Sequence, residues 1–305
     1  MDIHKSYGTH HVLKGISFTA RSGMAFGLLG RNGSGKTTTL RIIMDIFSPD
    51  SGQVLVDGAP RSETAAMMSY LPEERGLYPK RTVAEQMIYL GQLRGLSARD
   101  ARSSAEMLLE KLEATQYFGK KLETLSKGNQ QKIQLAIALL GDPDIVILDE
   151  PFSGLDPVNA RIMKELISDL VGRGKIILFS SHEMANVESM CEDICIINHG
   201  KVAISGNLAA IKAAYPRNKI LLLPETGDNA ALLQKLRSLE EARRIAADLG
   251  ESKSGCIVTL RDDNSKPRLL KIIAEHNIGI SMFTVLEPTL EEIFVEKAGD
   301  LIEAV

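Results

Sequence analysis

The segment LLGRNGSGKTTTL, residues 28–40, decides the fold. It fits the pattern G-x-x-x-x-G-K-[ST], with Gly30 and Gly35 followed by Lys36 and Thr37. The apolar run MAFGLLG precedes the pattern and a helical pattern follows it, which is the strand–loop–helix setting of a phosphate-binding loop. In such a loop, glycines let backbone N–H groups curl around phosphate oxygens, and the helix N-terminus adds positive potential. The segment therefore predicts a nucleotide site.

The side chains of this loop have separate expected roles. Lys36 is expected to bridge the β- and γ-phosphates of a nucleoside triphosphate, and the Thr37 hydroxyl is expected to ligate Mg²⁺. The alternative is a glycine-rich turn with a surface lysine, but it leaves the flanking strand and helix unexplained. The expected nucleotide contacts are Gly30, Arg31, Asn32, Gly33, Ser34, Gly35, Lys36, Thr37 and Thr38.

A phosphate loop needs an acidic group at the end of another strand to hold Mg²⁺ and orient water. The apolar run DIVILDE, 144–150, is typical of a strand buried on both faces of a parallel sheet, and it ends in Asp149 and Glu150. Acids often follow strands, so the run gains its meaning from standing after a phosphate loop and a helical block. We expect Asp149 to hold Mg²⁺, generally through a water, and Glu150 to be the base that polarises the attacking water.

The remaining pattern predicts an α/β core and a smaller second domain. Short β-rich runs such as GISFTA (15–20) surround a helix expected from Lys36 to about Phe47, and apolar residues then recur at threes and fours from Thr82 to Leu140. Alternating strands and helices follow, which predicts a mostly parallel, helix-covered sheet. We predict a core domain at 1–215 with a mixed sheet and a helical insertion at about 80–141. The order βαββαβ then predicts a small α+β domain at 216–305.

Composition argues against several other classes of protein. The formal charge is −3, aromatic residues make up 5% of the 305 residues and tryptophan is absent, so bulk nucleic-acid binding is not expected. No apolar run approaches the ~18 residues that span a bilayer, and no secretion signal precedes the first strand.

Cys191, Cys195 and Cys256 fit a reducing compartment, and we interpret them as small buried apolar residues. The alternative, a metal shared by Cys191 and Cys195, lacks a second Cys/His pair nearby. A cytosolic protein is expected.

The motifs, in their order along the chain, resemble those of the ATP-binding subunit of an ABC (ATP-binding cassette) transporter. The phosphate loop is followed by LSKGNQQK (125–132), similar to the family signature LSGGQ, then by ILDEP, by SGLD (153–156) and by SSHE (180–183). The resemblance covers about residues 1–215 and implies an ABC cassette that binds ATP and Mg²⁺ and hydrolyses ATP. The C-terminal domain and its EPTLEEIF ending resemble bacterial exporters of drugs, sodium or polysaccharides.

The resemblance assigns roles to five further residues. Tyr7, in KSYG, matches the aromatic residue that stacks on adenine, although six preceding residues are few for the family's first strand. Ser126 and Gly128 match the residues that face the γ-phosphate of ATP held by the other subunit. Asp156 belongs to the loop that follows the acidic strand and is counted among the nucleotide contacts, and His182 matches the histidine that senses the γ-phosphate. Without the resemblance, Tyr7 would be a packing residue, Ser126 a helix N-cap and His182 a satisfied loop histidine.

One departure from the family falls on a functional position. In YLPEE, 70–74, the residue after the proline is normally Gln, whose oxygen reaches Mg²⁺ and the attacking water, but here it is Glu73. A carboxylate can still ligate Mg²⁺, and more strongly, because it brings charge to a hard cation. The alternative is that Glu73 swings out and a water takes its place. Glu74 and Arg75 are interpreted as solvated loop charges or partner contacts. Lys127 and Asn129 also depart from the signature but leave Ser126 and Gly128 unchanged.

The resemblance also implies partners. ATP is expected to join two such subunits, the second being a copy of this chain or a paralogue, and hydrolysis lets them part. The chain would power a separate integral-membrane permease, for export, from the inner face of the cell membrane. Leu77, Tyr78 and Pro79 are expected either to contact the permease or to belong to the local core.

The rival interpretation is a soluble ABC ATPase acting on ribosomes or nucleic acid, but such proteins usually carry two cassettes or long coiled coils, and neither pattern occurs here. A non-enzymatic regulator is disfavoured by Glu150 and His182.

Overall fold

The computed structural model describes residues 1–74, 76–225, 227–252 and 254–299. The chain divides into two compact units, of which the first comprises Met1–Leu208 with the described residues 296–299 and the second comprises Ala209–Val295. The division falls at the start of a short helix, whereas the sequence pattern placed it at 215/216.

The first unit alternates strands and helices as the sequence predicts. Its elements are β1 (Ile3–Tyr7), β2 (His10–Ile16), β3 (Ala25–Leu29), α1 (Lys36–Ile43), β4 (Leu55–Val56), β5 (Ala59–Pro60), β6 (Met68–Leu71), α2 (Val83–Leu93), α3 (Ala98–Lys111), α4 (Lys127–Ala138), β7 (Ile145–Asp149), α5 (Pro157–Gly172), β8 (Ile176–Ser181), α6 (Met184–Met190), β9 (Asp193–Asn198) and β10 (Lys201–Asn207).

A six-stranded mixed sheet forms the centre of this unit. The strand order is β10-β9-β3-β8-β7-β6, in which only the β10–β9 pair is antiparallel. Every residue of β3 and β7 is buried, as expected of strands covered on both faces. The predicted α/β fold with a mixed sheet is therefore confirmed. Since β3, β6, β7 and β8 are parallel, their carboxyl ends lie along one edge of the sheet.

The helical insertion stands between β6 and β7. Helix α2 begins with a capping box, in which Thr82 accepts a hydrogen bond from the N–H of Glu85 and the Glu85 side chain accepts one from the N–H of Thr82. Helix α4 begins at the signature segment, where the Ser126 hydroxyl accepts from the N–H of Asn129. Nine of the twelve residues of α4 are buried, so this helix is the central one of the insertion.

Two predicted boundaries were wrong. Helix α1 ends at Ile43, not near Phe47, because Asp45 has the left-handed φ of 59° that breaks the helix. The strand predicted over 15–20 lies earlier, at His10–Ile16, because pairing with β1 sets its limits: Ile3 is opposite Ile16 and Tyr7 is opposite His10.

The second unit has the element order that the sequence predicts, with two additional short helices, one before its first strand and one before its second. A four-stranded sheet of order β12-β13-β11-β14 packs its core face against helices, through a cluster that includes Leu222, Leu236, Val258 and Leu269. The elements after β10 are α7 (Leu208–Ala213), β11 (Lys219–Pro224), α8 (Asn229–Ser238), α9 (Glu240–Ile245), β12 (Ala246–Ser252), β13 (Gly255–Leu260), α10 (Lys266–Glu275), β14 (Ile280–Leu286) and α11 (Leu290–Gly299).

Candidate nucleotide-binding site

A cavity of about 400 Å³ opens at the carboxyl edge of the central sheet. It brings together the phosphate loop, the two acids that end β7 and Glu73, which follows β6. The lining residues are His10, Val12, Arg31, Asn32, Gly33, Gly35, Lys36, Thr37, Thr38, Glu73, Asp149 and Glu150. Gly30, Ser34 and His182 do not line the cavity, but each contacts the loop or the acid that does.

The phosphate loop is a backbone cradle that side chains would fill. A Cβ on Gly30 would lie 2.3 Å from the hydroxyl of Ser34, and a Cβ on Gly35 would lie 2.5 Å from the side chain of Leu13. Gly35 also has a left-handed φ of 112°, where a side chain would be strained. Both positions therefore require glycine for the loop to keep its curvature.

Two polar groups of the loop are buried in ways that fit a bound anion. The Ser34 hydroxyl is buried and has no hydrogen-bond partner among the residues that the structure describes. The Lys36 side chain is 7% exposed, and its Nζ donates to the carbonyl oxygen of Gly30 at 2.7 Å. Burial lowers the pKa of Lys36, while Glu150, Asp149 and Glu73 oppose that shift. A buried lysine among acids and an unused donor call for an anionic ligand that accepts from both.

Asp149 is held by two hydroxyl donors from neighbouring strands. Tyr70, on β6, donates to Oδ2 of Asp149 at 3.0 Å, and Ser180, on β8, donates to Oδ1. Asp149 is 1% exposed. Burial, with the charge of Asp149, raises the pKa of Tyr70 to about 12, so Tyr70 is a protonated donor at neutral pH. The carboxylate is thus fixed in one orientation at the cavity.

Glu150 contacts the histidine that follows β8. Its Oε1 lies 2.9 Å from Nδ1 of His182, and its backbone N–H donates to Ser180. Glu150 has a φ of 51°, which is uncommon for a residue other than glycine, and it lines the cavity together with the phosphate loop. Burial raises the pKa of Glu150, and the hydrogen bond and charge of His182 oppose that shift. The geometry suits a base held ready by a neighbour.

Ser126 and Gly128 lie apart from this cavity but beside the segment that contains Asp156. Asp156 accepts from the side chain of Asn159 at 2.6 Å, and a Cβ on Gly128 would lie 3.2 Å from the same amide nitrogen. Ser126 and Asp156 are exposed. Both also cap helices, Ser126 for α4 and Asp156 for α5. Neither Ser126 nor Asp156 lines the cavity that contains the phosphate loop of its own chain. This is the arrangement expected if the two residues serve a site on another subunit.

The other sequence-predicted residues are distributed around the site. Tyr7 is 47% exposed at the end of β1, packs edge-on against Phe47 and pairs in register with His10, which lines the cavity. Tyr78 and Pro79 are exposed and Leu77 is half-buried, so Tyr78 and Pro79 do not belong to the local core. Arg75 lies outside the described residues.

None of the three cysteines is among the residues that line the cavity. Cys191, Cys195 and Cys256 are buried free thiols, and burial raises the pKa of Cys195 to about 12.

The residues present fit a divalent cation that is shared with a nucleotide. The described residues include no ready-made cluster of three or more His, Cys, Asp or Glu ligands. They do include two carboxylates, Glu73 and Asp149, and the Thr37 hydroxyl on one cavity. Mg²⁺ is usually bound by one or two carboxylates together with substrate phosphates and waters, so this donor set suits that ion.

Three residues of the site were not identified from the sequence. Tyr70 and Ser180 hold Asp149, and His10 lines the cavity beside Tyr7. A signal existed for two of them, because Tyr70 precedes Glu73 and Ser180 precedes His182 on strands that were predicted to end at the site. Both hydroxyls reach Asp149 because β7 lies between β6 and β8, and the sequence pattern does not specify that strand order.

The fold and the site define a P-loop nucleoside-triphosphatase in which one sheet edge carries the phosphate loop, the acidic strand and the histidine strand. Comparison with known proteins narrows this class. A family model described as "ABC transporter" matches residues 13–153, and one described as "ATP-binding protein DrrA1-3-like, C-terminal domain" matches residues 206–298.

Two relatives are similar over nearly their whole length. The ABC transporter ATP-binding protein YhaQ of Bacillus subtilis is 37% identical over 98% of this chain and 97% of its own. The linearmycin resistance ATP-binding protein LnrL of the same organism is 32% identical over 98% of this chain and 97% of its own. The Nod factor export ATP-binding protein I of Paraburkholderia xenovorans is 38% identical over 70% of this chain and 71% of its own.

Solved structures agree on the fold. An ATP-binding subunit of an ABC transporter superposes with a TM-score of 0.64 at 29% identity, over 70% of this chain and 90% of its own. The bacterial ABC transporter cassette MJ0796, described as dimeric, has a TM-score of 0.62 at 23% identity, over 68% of this chain and 97% of its own, and it supports the fold alone.

The chain belongs to the ABC transporter ATP-binding proteins. It is therefore an ATP-binding protein of the ABC ATPase type, and its C-terminal unit is of the kind found in DrrA-like proteins. Of the relatives named above, the Nod factor protein carries export in its name and LnrL carries resistance to linearmycin, and none is named for ribosomes or nucleic acid. Within the described part of the chain, every helix is too short or too polar to cross a bilayer.

Proposed function

We propose that this chain hydrolyses Mg²⁺-ATP to drive a separate integral-membrane export permease. The observation that carries the proposal is the contact of His182 with Glu150 at the edge of the cavity that also holds Lys36. A buried carboxylate, a histidine on its flank and a lysine in a glycine cradle are the groups that phosphoryl transfer to water requires.

The chain's own residues divide the chemistry between them. The N–H groups of residues 31–38 and the Lys36 ammonium bind the phosphates, and Tyr7 stacks on the base. Glu150 accepts the proton of the attacking water, while His182 holds the Glu150 carboxylate in place and responds to the γ-phosphate. Thr37, Glu73 and Asp149 would hold Mg²⁺, Asp149 through a water. Mg²⁺, when bound, neutralises charge on the phosphate oxygens.

Two chains share each nucleotide in this proposal. Ser126 and Gly128 lie at the N-terminus of α4, which favours anions, and neither lines the cavity of its own chain. They would close on ATP held by the phosphate loop of a second subunit, with Asp156 beside them. The second subunit is a copy of this chain or a paralogue, and intact motifs let this chain supply both halves. Hydrolysis and phosphate release then let the subunits part.

The membrane partner and the second domain complete the proposal. The chain would lie on the inner face of the cell membrane, and the exposed Tyr78 and Pro79, with Leu77, would contact the permease. We propose domain limits of 1–215 and 216–305, with a helical subdomain at about 80–141. Among the described residues of the C-terminal domain we find no catalytic set, and this domain would regulate or stabilise the dimer.

Co-purification tests the proposal. The full chain, isolated from its own cells in mild detergent with ATP present, should bring with it a polytopic membrane protein, and adding that protein should change its ATPase rate. Recovery of ribosomes or DNA, and never of a membrane protein, would contradict the transport function.

A further inference from the structure

Two buried glutamines on α4 hold the loops that carry the acids of the cavity. Gln134 is 5% exposed, and its Nε2 donates to the carbonyl oxygens of Pro72 at 3.1 Å and Glu74 at 3.2 Å. These two carbonyl groups flank Glu73, so one side-chain amide spans the residue at the cavity. Glu73 itself is exposed, and its carboxylate accepts no hydrogen bond from the residues that the structure describes.

The second glutamine makes the equivalent contact one helical turn earlier. Gln131 is 3% exposed, and its Nε2 donates at 3.3 Å to the carbonyl oxygen of Pro151, the residue after Glu150. Residues three apart lie on the same face of a helix. One face of α4 therefore touches both acidic loops.

The same helix begins at Ser126, about two turns before Gln134. Its other end is fixed by Arg94, whose Nη1 donates to the carbonyl oxygens of Ile137 at 2.7 Å and Ala138 at 2.8 Å. A helix that is capped at both ends and mostly buried moves as a rigid element. Any shift at Ser126 is carried to Gln131 and Gln134.

We propose that Gln131 and Gln134 are positioning residues that tie Glu150 and Glu73 to the helix that presents Ser126. Binding of the partner's ATP at Ser126 is thereby transmitted to the acids of this chain's own site. The inference rests on the proposed function, in which Glu73 holds Mg²⁺ and Ser126 meets the nucleotide of a second subunit.

The amide of Gln134 is not arranged for stability. Its Oε1 is buried without a partner among the residues that the structure describes, and an unpaired buried acceptor costs free energy. The carbonyl groups of Pro72 and Glu74 belong to partly or fully exposed residues, so water can replace the amide. Gln134→Met, which is unbranched and similar in size, should therefore fold as well as the unchanged chain.

The test uses the full chain with Glu150→Gln, so that ATP is bound without turnover. Calorimetry measures the affinity for ATP with and without Mg²⁺, and hydrogen exchange measures protection of the segment 70–79. Adding Gln134→Met should leave the affinity for Mg²⁺-free ATP unchanged. It should reduce the gain in affinity from Mg²⁺ about fivefold and speed exchange in 70–79, because both hydrogen bonds of the amide to this segment are lost. Leu135→Met, a change on the same helix at a fully buried position, is the control for disturbance of α4.

The outcomes separate this inference from the proposed function. If Glu73→Gln reduces the gain from Mg²⁺ but Gln134→Met changes neither that gain nor exchange in 70–79, the positioning role is overturned and the metal role of Glu73 stands. If neither variant alters the gain, both fail. If Gln134→Met lowers the thermal midpoint of unfolding more than Leu135→Met does, and the loss of affinity is the same with and without Mg²⁺, Gln134 is a structural residue and the inference is wrong.

Discussion

The imidazole of His182 lies 2.9 Å, Nδ1 to Oε1, from the carboxylate of Glu150. The two side chains follow adjacent parallel strands, β8 and β7, and differ in environment, because the Glu150 side chain is 7% exposed and that of His182 is 54% exposed. A buried acid is thus stabilised by a group that remains open to solvent and to a ligand. This pairing lets the state of the phosphates near His182 influence the base.

Glu150→Gln should bind ATP and accumulate a stable dimer while turnover falls by about 10²–10⁴-fold, because the amide keeps the shape of the carboxylate but cannot accept the proton. Phosphate release and size-exclusion chromatography with ATP measure the two effects. Unchanged turnover would mean that Glu150 is not the base.

His182→Gln should reduce kcat about 10- to 100-fold with a smaller effect on the affinity for ATP, because it removes the group that holds Glu150 in place. The matched control is His276→Gln, since His276 also faces a glutamate, Glu241, at 3.8 Å, but lies in the second unit. Steady-state ATPase assays compare the two. Equal losses in both variants would show that the effect is not specific to the site.

Tyr70→Phe should destabilise the nucleotide-free protein by about 1–2 kcal/mol, because the buried Asp149 carboxylate loses one of its two hydroxyl donors. Urea unfolding of the full chain measures the change. Tyr89→Phe, at a residue that is 52% exposed, should change stability by less than about 0.5 kcal/mol. If Tyr70→Phe is as harmless as the control, the hydrogen bond to Asp149 does not contribute to folding.

Asp142 makes one stability contribution that should depend on pH. Partial burial opposes ionisation of Asp142, but the hydrogen bonds and charges of Lys175 and Arg173 outweigh it, so the pKa lies below its ordinary value of 3.8. A depressed folded pKa stabilises the protein above pH 3.8, and this contribution is lost as the pH falls through the folded pKa. Because the Asp142 and Arg173 side chains are exposed and solvent screens their charges, the effect is about 0.5 kcal/mol.

Asp142→Asn should therefore lower the thermal midpoint slightly at pH 7 and make no difference below the folded pKa. Asparagine suits the left-handed φ of 54° at this position, so the backbone is not the cause. Asp45→Asn, at another left-handed position with a φ of 59°, is the control. A difference between wild type and Asp142→Asn that persists unchanged through acid would contradict the electrostatic explanation.

Continuous motifs allowed much of the site to be predicted. The phosphate loop, the acidic strand and the signature helix each carry their chemistry within a few neighbouring residues, so local spacing identifies Lys36, Glu150 and Ser126. The contacts that orient them join distant segments: Tyr70 reaches Asp149, and Gln134 reaches the loop of Glu73. Those contacts depend on strand order and on which face of α4 is buried, and periodicity alone does not specify either.

The predicted ends of helices and strands were wrong where strand pairing or a single backbone conformation sets them. The end of β2 depends on its pairing with β1, and the end of α1 depends on the backbone conformation of Asp45. In contrast, the start of α11 is set locally, because Thr289 and Glu292 are only three residues apart and form a capping box, a pattern that the sequence alone can indicate.

In the proposed dimer, Ser126 of one chain acts on the ATP of another. The most direct test is the ATP-driven dimer of the Glu150→Gln chain, measured by analytical ultracentrifugation together with nucleotide binding. Ser126→Asp keeps the helix cap of α4 but opposes a phosphate with a negative charge. We predict that Glu150→Gln with Ser126→Asp binds ATP and stays monomeric, whereas Glu150→Gln with Lys36→Ala binds no ATP at all. A Ser126→Asp chain that dimerises with ATP as readily as Glu150→Gln alone would contradict the claim.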